Sequence, residues 1–384
     1  HPSLDLAVSS DRDAAATTVI LVTDSTNPAR EPDVVIASSF LPSTARAIVA
    51  DPSGDPPSDG DSNPGLAGDP IAVQAIGQSG TQVGIETVVI DHSANPARSG
   101  GEGRVDYVFE MSRFEIKNTQ YSAFLNAVAR QEDPFGLFAT EMQNNADGGI
   151  ARTQQNERFS YAVRVNMADK PVNGVTWLSA ARFVNWLENG QPRGHPGPAT
   201  TEDGTYDLSG GDAAYASATR RAGAEWALPN ANEWTKAALY DPTLASNNGY
   251  WKFATRSNDC PLPSPATLDG LLVTPGPNTV NYDQLANWNG SLIGNVVAVG
   301  SAGPTSRSFF GAADLHGNVA EWNEHRLCFD GMCGREVRGG SFAFAGALSG
   351  APVHGLLMNF TPVLGMGGET FRGGQIGFRV VRIP

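Results

Sequence analysis

Cysteine is scarce in this chain, with three residues in 384, which leaves room for one disulfide at most. Cys328 and Cys333 lie five apart around Asp330-Gly331, a dipeptide suited to a tight turn, so they either close a small disulfide loop or sit as two buried thiols; the loop is preferred. Cys260 then has no partner. Long apolar runs are also missing: none reaches the roughly 18 residues of a membrane span, so no membrane insertion is expected. Basic residues are few, 26 Lys and Arg against 40 Asp and Glu, for a net charge of -14. That balance argues against nucleic acid or an anionic membrane as partner. No Gly-x-Ser-x-Gly elbow and no Gly-rich loop ending in Lys-Ser/Thr occurs, which removes the common hydrolase and phosphate-cradling signatures. The chain opens at His1-Pro2 with no Met and no signal-type apolar core, which predicts a processed mature terminus and an extracellular or cell-surface protein.

What is abundant is turn chemistry. The 43 Gly and 26 Pro predict a loop-rich molecule rather than one of long helices. Residues 1–80 differ in kind from the rest. Thr17 to Thr23 and Val34-Val35-Ile36 are β-branched runs of strand length. Residues 51–70, rich in Asp, Pro, Ser and Gly, have little to bury and read as a linker. One internal echo stands out: Val19-Ile20-Leu21-Val22, followed by Asn27-Pro28-Ala29-Arg30, recurs at a constant offset as Thr87-Val88-Val89-Ile90, followed by Asn95-Pro96-Ala97-Arg98. A strand that imitates another strand of the same chain can pair at a sheet edge, in its own subunit or in a neighbour. In the second case the contact is heterologous and propagates unless the rotation closes.

Further on, Val105, Tyr107 and Phe109 alternate, and Phe114 and Ile116 continue the pattern, predicting a half-buried strand. Tyr121, Phe124, Leu125 and Val128 lie on one face of a helix capped by Asn118 or Thr119. Trp177 to Leu187 is a second amphipathic helix, with Thr176 or Ser179 near its start and Asn189-Gly190 at its stop. Trp226 to Tyr240 reads as strand, turn and helix, with Asn230 as cap and Glu233 completing a capping box. Residues 241–277 form a long surface excursion of the kind in which binding functions concentrate.

The chemistry-bearing stretch is Asp314-Leu315-His316-Gly317-Asn318-Val319-Ala320-Glu321-Trp322, followed by Arg338-Gly339-Gly340-Ser341-Phe342. A loop with a carboxylate at each end and a glycine at its turn suits a hard cation. Equally, Glu321 can meet an arginine such as Arg338 or Arg379, with Trp322 as core. Together with Phe114 to Tyr121, Pro171 to Trp177, Trp226 to Trp234 and Ile376 to Val380, this stretch resembles the formylglycine-generating enzyme (sulfatase-modifying factor) family over residues 85–384. The resemblance implies an α+β, loop-rich, C-type-lectin-like fold, here with an N-terminal β-strand extension.

It also implies calcium, held by side chains of Asp314 and Glu321 and main-chain oxygens of Gly317 and Val319, with a second site at Asn287 and Trp288 whose remaining ligands fall where this sequence is shortened. The family's oxidase chemistry needs two copper-binding cysteines just beyond the Gly-Gly-Ser motif. The matching positions here are Phe344 and Ser349, which form no thiolate, so no copper is expected and the chain reads as non-catalytic. The six histidines lack the iron-binding spacing of the related ergothioneine-pathway sulfoxide synthases, so no iron is expected. Sequons at Asn289 and Asn359 are possible glycosylation sites. The resulting expectation is an extracellular structural subunit that self-assembles into a fibre or array through Val19, Ile20, Leu21, Val22, Asn27 and Arg30. Calcium-dependent, lectin-like binding of a glycan or protein is the alternative, and a divergent oxidoreductase of the family is the third.

Overall fold

The computed structural model describes residues 82–329, 332–343 and 368–383, together with the backbone of two short strands nearer the N-terminus. The chain divides into two units, residues 1–67 and 68–384. In the first, strand β1 (Thr18–Val22) pairs antiparallel with β2 (Asp33–Ala37), Val19 opposite Ile36 and Leu21 opposite Val34. The two β-branched runs of the sequence are thus each other's partners. Asn27 and Arg30, the linker at 51–70, and Phe344, Ser349 and Asn359 lie outside the described residues.

The second unit runs β3 (Thr87–Ile90), β4 (Phe109–Ser112), α1 (Asn118–Val128), α2 (Glu141–Asn144), β5 (Ile150–Gln155), β6 (Arg158–Val163), α3 (Trp177–Glu188), α4 (Asp212–Ser217), β7 (Trp226–Ala227) and α5 (Ala231–Leu239). After it come β8 (Leu262–Pro263), β9 (Thr279–Val280), β10 (Ala320–Phe329), β11 (Met332–Arg338), β12 (Ile376–Gly377) and β13 (Val381–Arg382). Helices and small sheets are mixed, an α+β arrangement. Its four-stranded sheet has the order β3-β4-β13-β7, so the last strand of the chain is inserted between β4 and β7. A second sheet has the order β11-β10-β12.

Two aromatic helix faces make the core. Tyr121 and Phe124 of α1 pack on Phe183 of α3, which also meets Phe378 from the closing strand region. Each of these side chains is fully buried, which contributes about 2–3 kcal/mol apiece. The cap of α3 is as its sequence predicts: the Thr176 hydroxyl accepts from the Ser179 N–H at 2.9 Å. The cap of α5 is also, with Asn230 Oδ1 accepting from Glu233 N and Glu233 Oε2 from Asn230 N.

α1 differs from expectation. Its cap is Lys117, whose N–H is taken by the Gln120 side chain at 2.8 Å. Asn118 is instead inside the helix, where its amide donates to the carbonyls of Met167 and Lys170 and ties the helix to the loop that precedes α3. The strand expected from Val105 to Ile116 is confined to β4. Before it, the Asn95 side chain accepts from Val105 N and donates to Gly103 O, holding this stretch as a loop. Past Ser112 the chain turns so that Glu115 faces inward.

Candidate functional site

The acidic stretch forms a tight loop leading into β10. Asp314, Gly317 and Asn318 all take positive φ, at 57°, 79° and 55°. At Gly317 this has a steric reason as well: a Cβ there would lie 2.4 Å from the carbonyl oxygen of Asn281. The loop is fixed through its backbone, Gly317 N donating to Gly339 O and Asn318 N to Asn281 O, each at 2.9 Å. The Asn318 side chain accepts from Val297 N at 2.9 Å and donates to Glu115 Oε2 at 2.9 Å. Glu115 also accepts from Val319 N at 3.1 Å.

At the far end of the loop, Glu321 is fully buried against Arg379, also fully buried. Arg379 Nε lies 2.8 Å from both carboxylate oxygens and Nη2 lies 2.6 Å from Oε1, while the Trp234 indole donates to Oε2 at 2.8 Å. The remaining Arg379 donors go to the carbonyls of Ser112 and Ala313. Arg338 is Glu321's ladder neighbour, yet it turns to Glu336 and Glu102 instead. Trp322 is core, its indole donating to Val175 O.

Three carboxylates thus share the Arg379 guanidinium, and the charge of Arg307 acts on Asp314 as well. Burial raises Glu115 well above the usual carboxylate range, and the charges of Asp314 and then Glu321 add to it, partly offset by Arg379. Asp314 is pushed up to about 6, again mainly by burial; the Gly300 N–H and Arg379 oppose the rise and Glu321 reinforces it. Such a surplus of negative charge is what a cation relieves. Asp314 and the main-chain oxygens of Gly317 and Val319 are of the hard-oxygen kind that calcium takes. Glu321 fits less well, because Arg379 and Trp234 occupy both its oxygens, so a cation would have to compete with that pair. Among the described residues no three His, Cys, Asp or Glu side chains gather so as to hold a metal by themselves.

The second expected calcium position is closed on itself. Asn287 Oδ1 accepts from Gly294 N at 2.9 Å, the Trp288 carbonyl accepts from the Asn295 side chain, and the Trp288 indole donates to Val296 O. Lys170 lies over the Trp288 ring, 5.0 Å from its centroid. Asn289, the described sequon residue, is exposed and donates to Ala146 O. Cys328 and Cys333 face each other across β10 and β11 and are joined, with Cα atoms 4.0 Å apart; Cys260 is exposed and free. The described histidines are dispersed: His195 pairs with Glu132, and His316 is buried with its Nδ1 facing Ala254 N.

Sequence reading did not identify Glu115 as part of this site. The signal was a carboxylate between Phe114 and Ile116 in an apolar run. It also did not identify a polar network around Arg220, which bridges Glu233 and Glu324.

Residues 102–384 match the family model of the Sulfatase-modifying factor enzyme 1-like domain. No curated protein matches the chain. Solved structures similar to it include CarF, at 19% identity over 78% of this chain and 98% of that one with a TM-score of 0.43. Another is Treponema denticola variable protein 1, at 17% identity over 79% and 96% with a TM-score of 0.42. Among the described residues no helix is long and apolar enough to cross a membrane.

Proposed function

We propose, from the premise that this chain belongs to the sulfatase-modifying factor enzyme 1-like family, that it is a non-catalytic extracellular structural protein that assembles with copies of itself through its N-terminal strand. Phe344 and Ser349 stand where the resemblance places the copper-binding thiols, so the family's oxidation has no nucleophile here. The single observation that carries the assembly reading is the position of β3. It lies at the end of the four-stranded sheet, and its sequence is the one that β1 repeats.

Arg113 N donates to Glu86 O at 2.8 Å. By the antiparallel alternation, Glu86, Val88 and Ile90 therefore bond to β4, while the N–H and C=O of Thr87 and Val89 point away from it. Among the described residues no backbone hydrogen bond takes up these outward groups. An edge of this kind accepts an added strand, and a strand of matching side-chain pattern is the natural donor.

Calcium belongs to the same proposal, bound at the loop by Asp314 and the main-chain oxygens of Gly317 and Val319, while Glu321, expected from the sequence as a ligand, stays with Arg379 and Trp234. It would stiffen the loop against the surrounding carboxylate charge.

The test is sedimentation and negative-stain microscopy of the full chain, of a chain lacking residues 1–80, and of full-length Val89→Pro, which removes one outward N–H and spares the bonds to β4. Fibres from the full chain alone are the expected result. Equal monomeric behaviour of all three at high concentration would overturn the proposal. Loss of assembly on truncation but not in Val89→Pro would keep the N-terminal strand and move its acceptor elsewhere.

A further inference from the structure

A cleft of about 630 Å³ opens beside β10 on the side of α4 and α5, lined among others by Tyr107, Thr219, Arg220, Asn230, His325 and Arg326. Its size is that of small-ligand sites. The cleft is built around an irregularity: the β10–β11 register shifts between Trp322 and Arg326. Such bulges bend a strand and re-aim its side chains. Here Glu324 N donates to Pro229 O rather than across the ladder, and the Cys328–Cys333 bond holds the hairpin just beyond.

The floor is held by charged hydrogen bonds, although the Nε atoms of Arg220 and Arg335 are buried without a hydrogen-bond partner. Arg220 binds Glu233 through two hydrogen bonds, 2.8 and 3.0 Å, and Glu324 at 3.0 Å. The Arg335 guanidinium lies over the Trp177 ring, 3.7 Å from its centroid, and donates to the carbonyls of Glu324 and Ala218, each at 2.7 Å. At the rim, Tyr107 is fixed at both ends. Its hydroxyl donates to Glu233 at 2.6 Å and its ring packs edge-on to Phe109, yet 40% of the residue is exposed. A fixed, half-exposed aromatic ring is a stacking platform.

The charges are arranged unequally. Glu233 is fully buried and its acceptors are consumed by Arg220, Tyr107 and the Asn230 N–H. On the open side, Arg326 meets Glu369 at 3.4 Å and keeps more than a third of its side chain exposed, while the buried Arg335 lies 3.8 Å from the same carboxylate. His325 and Thr219 are exposed beside it. Glu324, the one carboxylate among the cleft's described lining residues, is tied to Arg220 at 3.0 Å, which leaves Arg326 as the exposed charge of the cleft on a chain whose net charge is -14.

We infer that this cleft binds an acidic sugar of the uronate class, its ring face on Tyr107 and its carboxylate on the Arg326 guanidinium, independently of calcium. A guanidinium with an open edge matches a carboxylate in a bidentate fork, and a ring platform with neighbouring donors matches a hydroxyl-rich ring.

The experiment is isothermal titration of the full-length protein with tri-galacturonate and with neutral galactotriose, in calcium and in chelator. Tri-galacturonate is expected to bind at least about tenfold more tightly than the neutral trimer, equally in both buffers. Arg326→Gln is expected to remove most of that preference, and Tyr107→Leu to weaken binding of the acidic trimer by a similar factor. Arg326 is exposed and loosely paired, so its substitution leaves the core intact, as a matching thermal melt would verify. Equal affinity for the two trimers, no binding of either, or unchanged selectivity in Arg326→Gln would overturn the inference. Binding lost in chelator would overturn its calcium independence.

Discussion

The buried Arg379–Glu321 pair should respond asymmetrically to loss of its two partners. Arg379→Met removes the guanidinium that Glu321, Asp314 and Glu115 share. Breaking a buried ion pair from one side costs about 3–5 kcal/mol, because the other charge stays buried without a partner. The carbonyls of Ser112 and Ala313, which accept from Arg379 at 3.0 and 2.9 Å, lose their donor at a further cost of about 1 kcal/mol each. A total of about 5–7 kcal/mol is comparable with the whole stability of a domain, about 5–15 kcal/mol. Glu321→Gln, by contrast, keeps an oxygen for the Trp234 indole and leaves Arg379 the fields of Asp314 and Glu115, so its cost should be about 2 kcal/mol. Urea denaturation followed by tryptophan fluorescence reads both. The expected outcome is a midpoint displaced far more by Arg379→Met than by Glu321→Gln with unchanged slope. Equal displacements, or both below about 1 kcal/mol, would show that the pair does not organise its surroundings as described.

The raised pKa of Asp314 makes stability depend on pH with a definite sign. Its folded value of about 6 lies above the unfolded one near 4. The folded chain therefore keeps a proton that the unfolded chain has released, and stability falls as pH rises through that window, by up to about 3 kcal/mol. Against an Asp314→Asn control, the wild type should lose relative stability between pH 4.5 and 7 in chelator, and saturating calcium should flatten the slope if the ion binds there; a pH-independent difference would count against the assignment. Gly317→Ala places a methyl against Asn281 O at a φ of +79° and should cost about 3 kcal/mol, whereas Gly100→Ala, also at positive φ but in open space, should cost about 1 kcal/mol. Replacing Cys328 and Cys333 by serine opens a short loop and should lower stability by about 2 kcal/mol, read as a midpoint shift matched by adding reductant to the wild type.

Local signals were legible where one residue type has one physical use. Thr176, Asn230 and Glu233 mark helix starts because side-chain oxygens satisfy orphan N–H groups there. The aromatic faces of α1 and α3 follow from helical spacing alone. Asn118 shows the limit of this reasoning: a good capping residue, it lies one position inside the helix because carbonyls of the following loop compete for its amide. Tyr107 shows another, since alternation places it on a strand while Asn95, ten residues from Val105, converts that stretch into a loop. Long-range polar choices of this kind leave no periodic trace.

The acidic loop was visible as a motif, but a motif does not say which of its two uses prevails. Asp, Gly, Asn and Glu at this spacing serve a cation and serve equally to knit β10 into its neighbours. What separates the uses is the count of opposing charge, and that depends on Glu115 and Arg379, which lie some 200 residues before the loop and 60 after it. With Arg379 shared among three carboxylates and Arg307 acting only in part on Asp314, the pair at Glu321 is complete while Asp314 and Glu115 keep raised proton affinities that protonation or a cation would relieve. The loop therefore divides its labour: the Glu321 end holds the fold, and the Asp314 end is where calcium would act. A titration that perturbs Asp314 and leaves the Glu321–Arg379 pair untouched is the result this division requires.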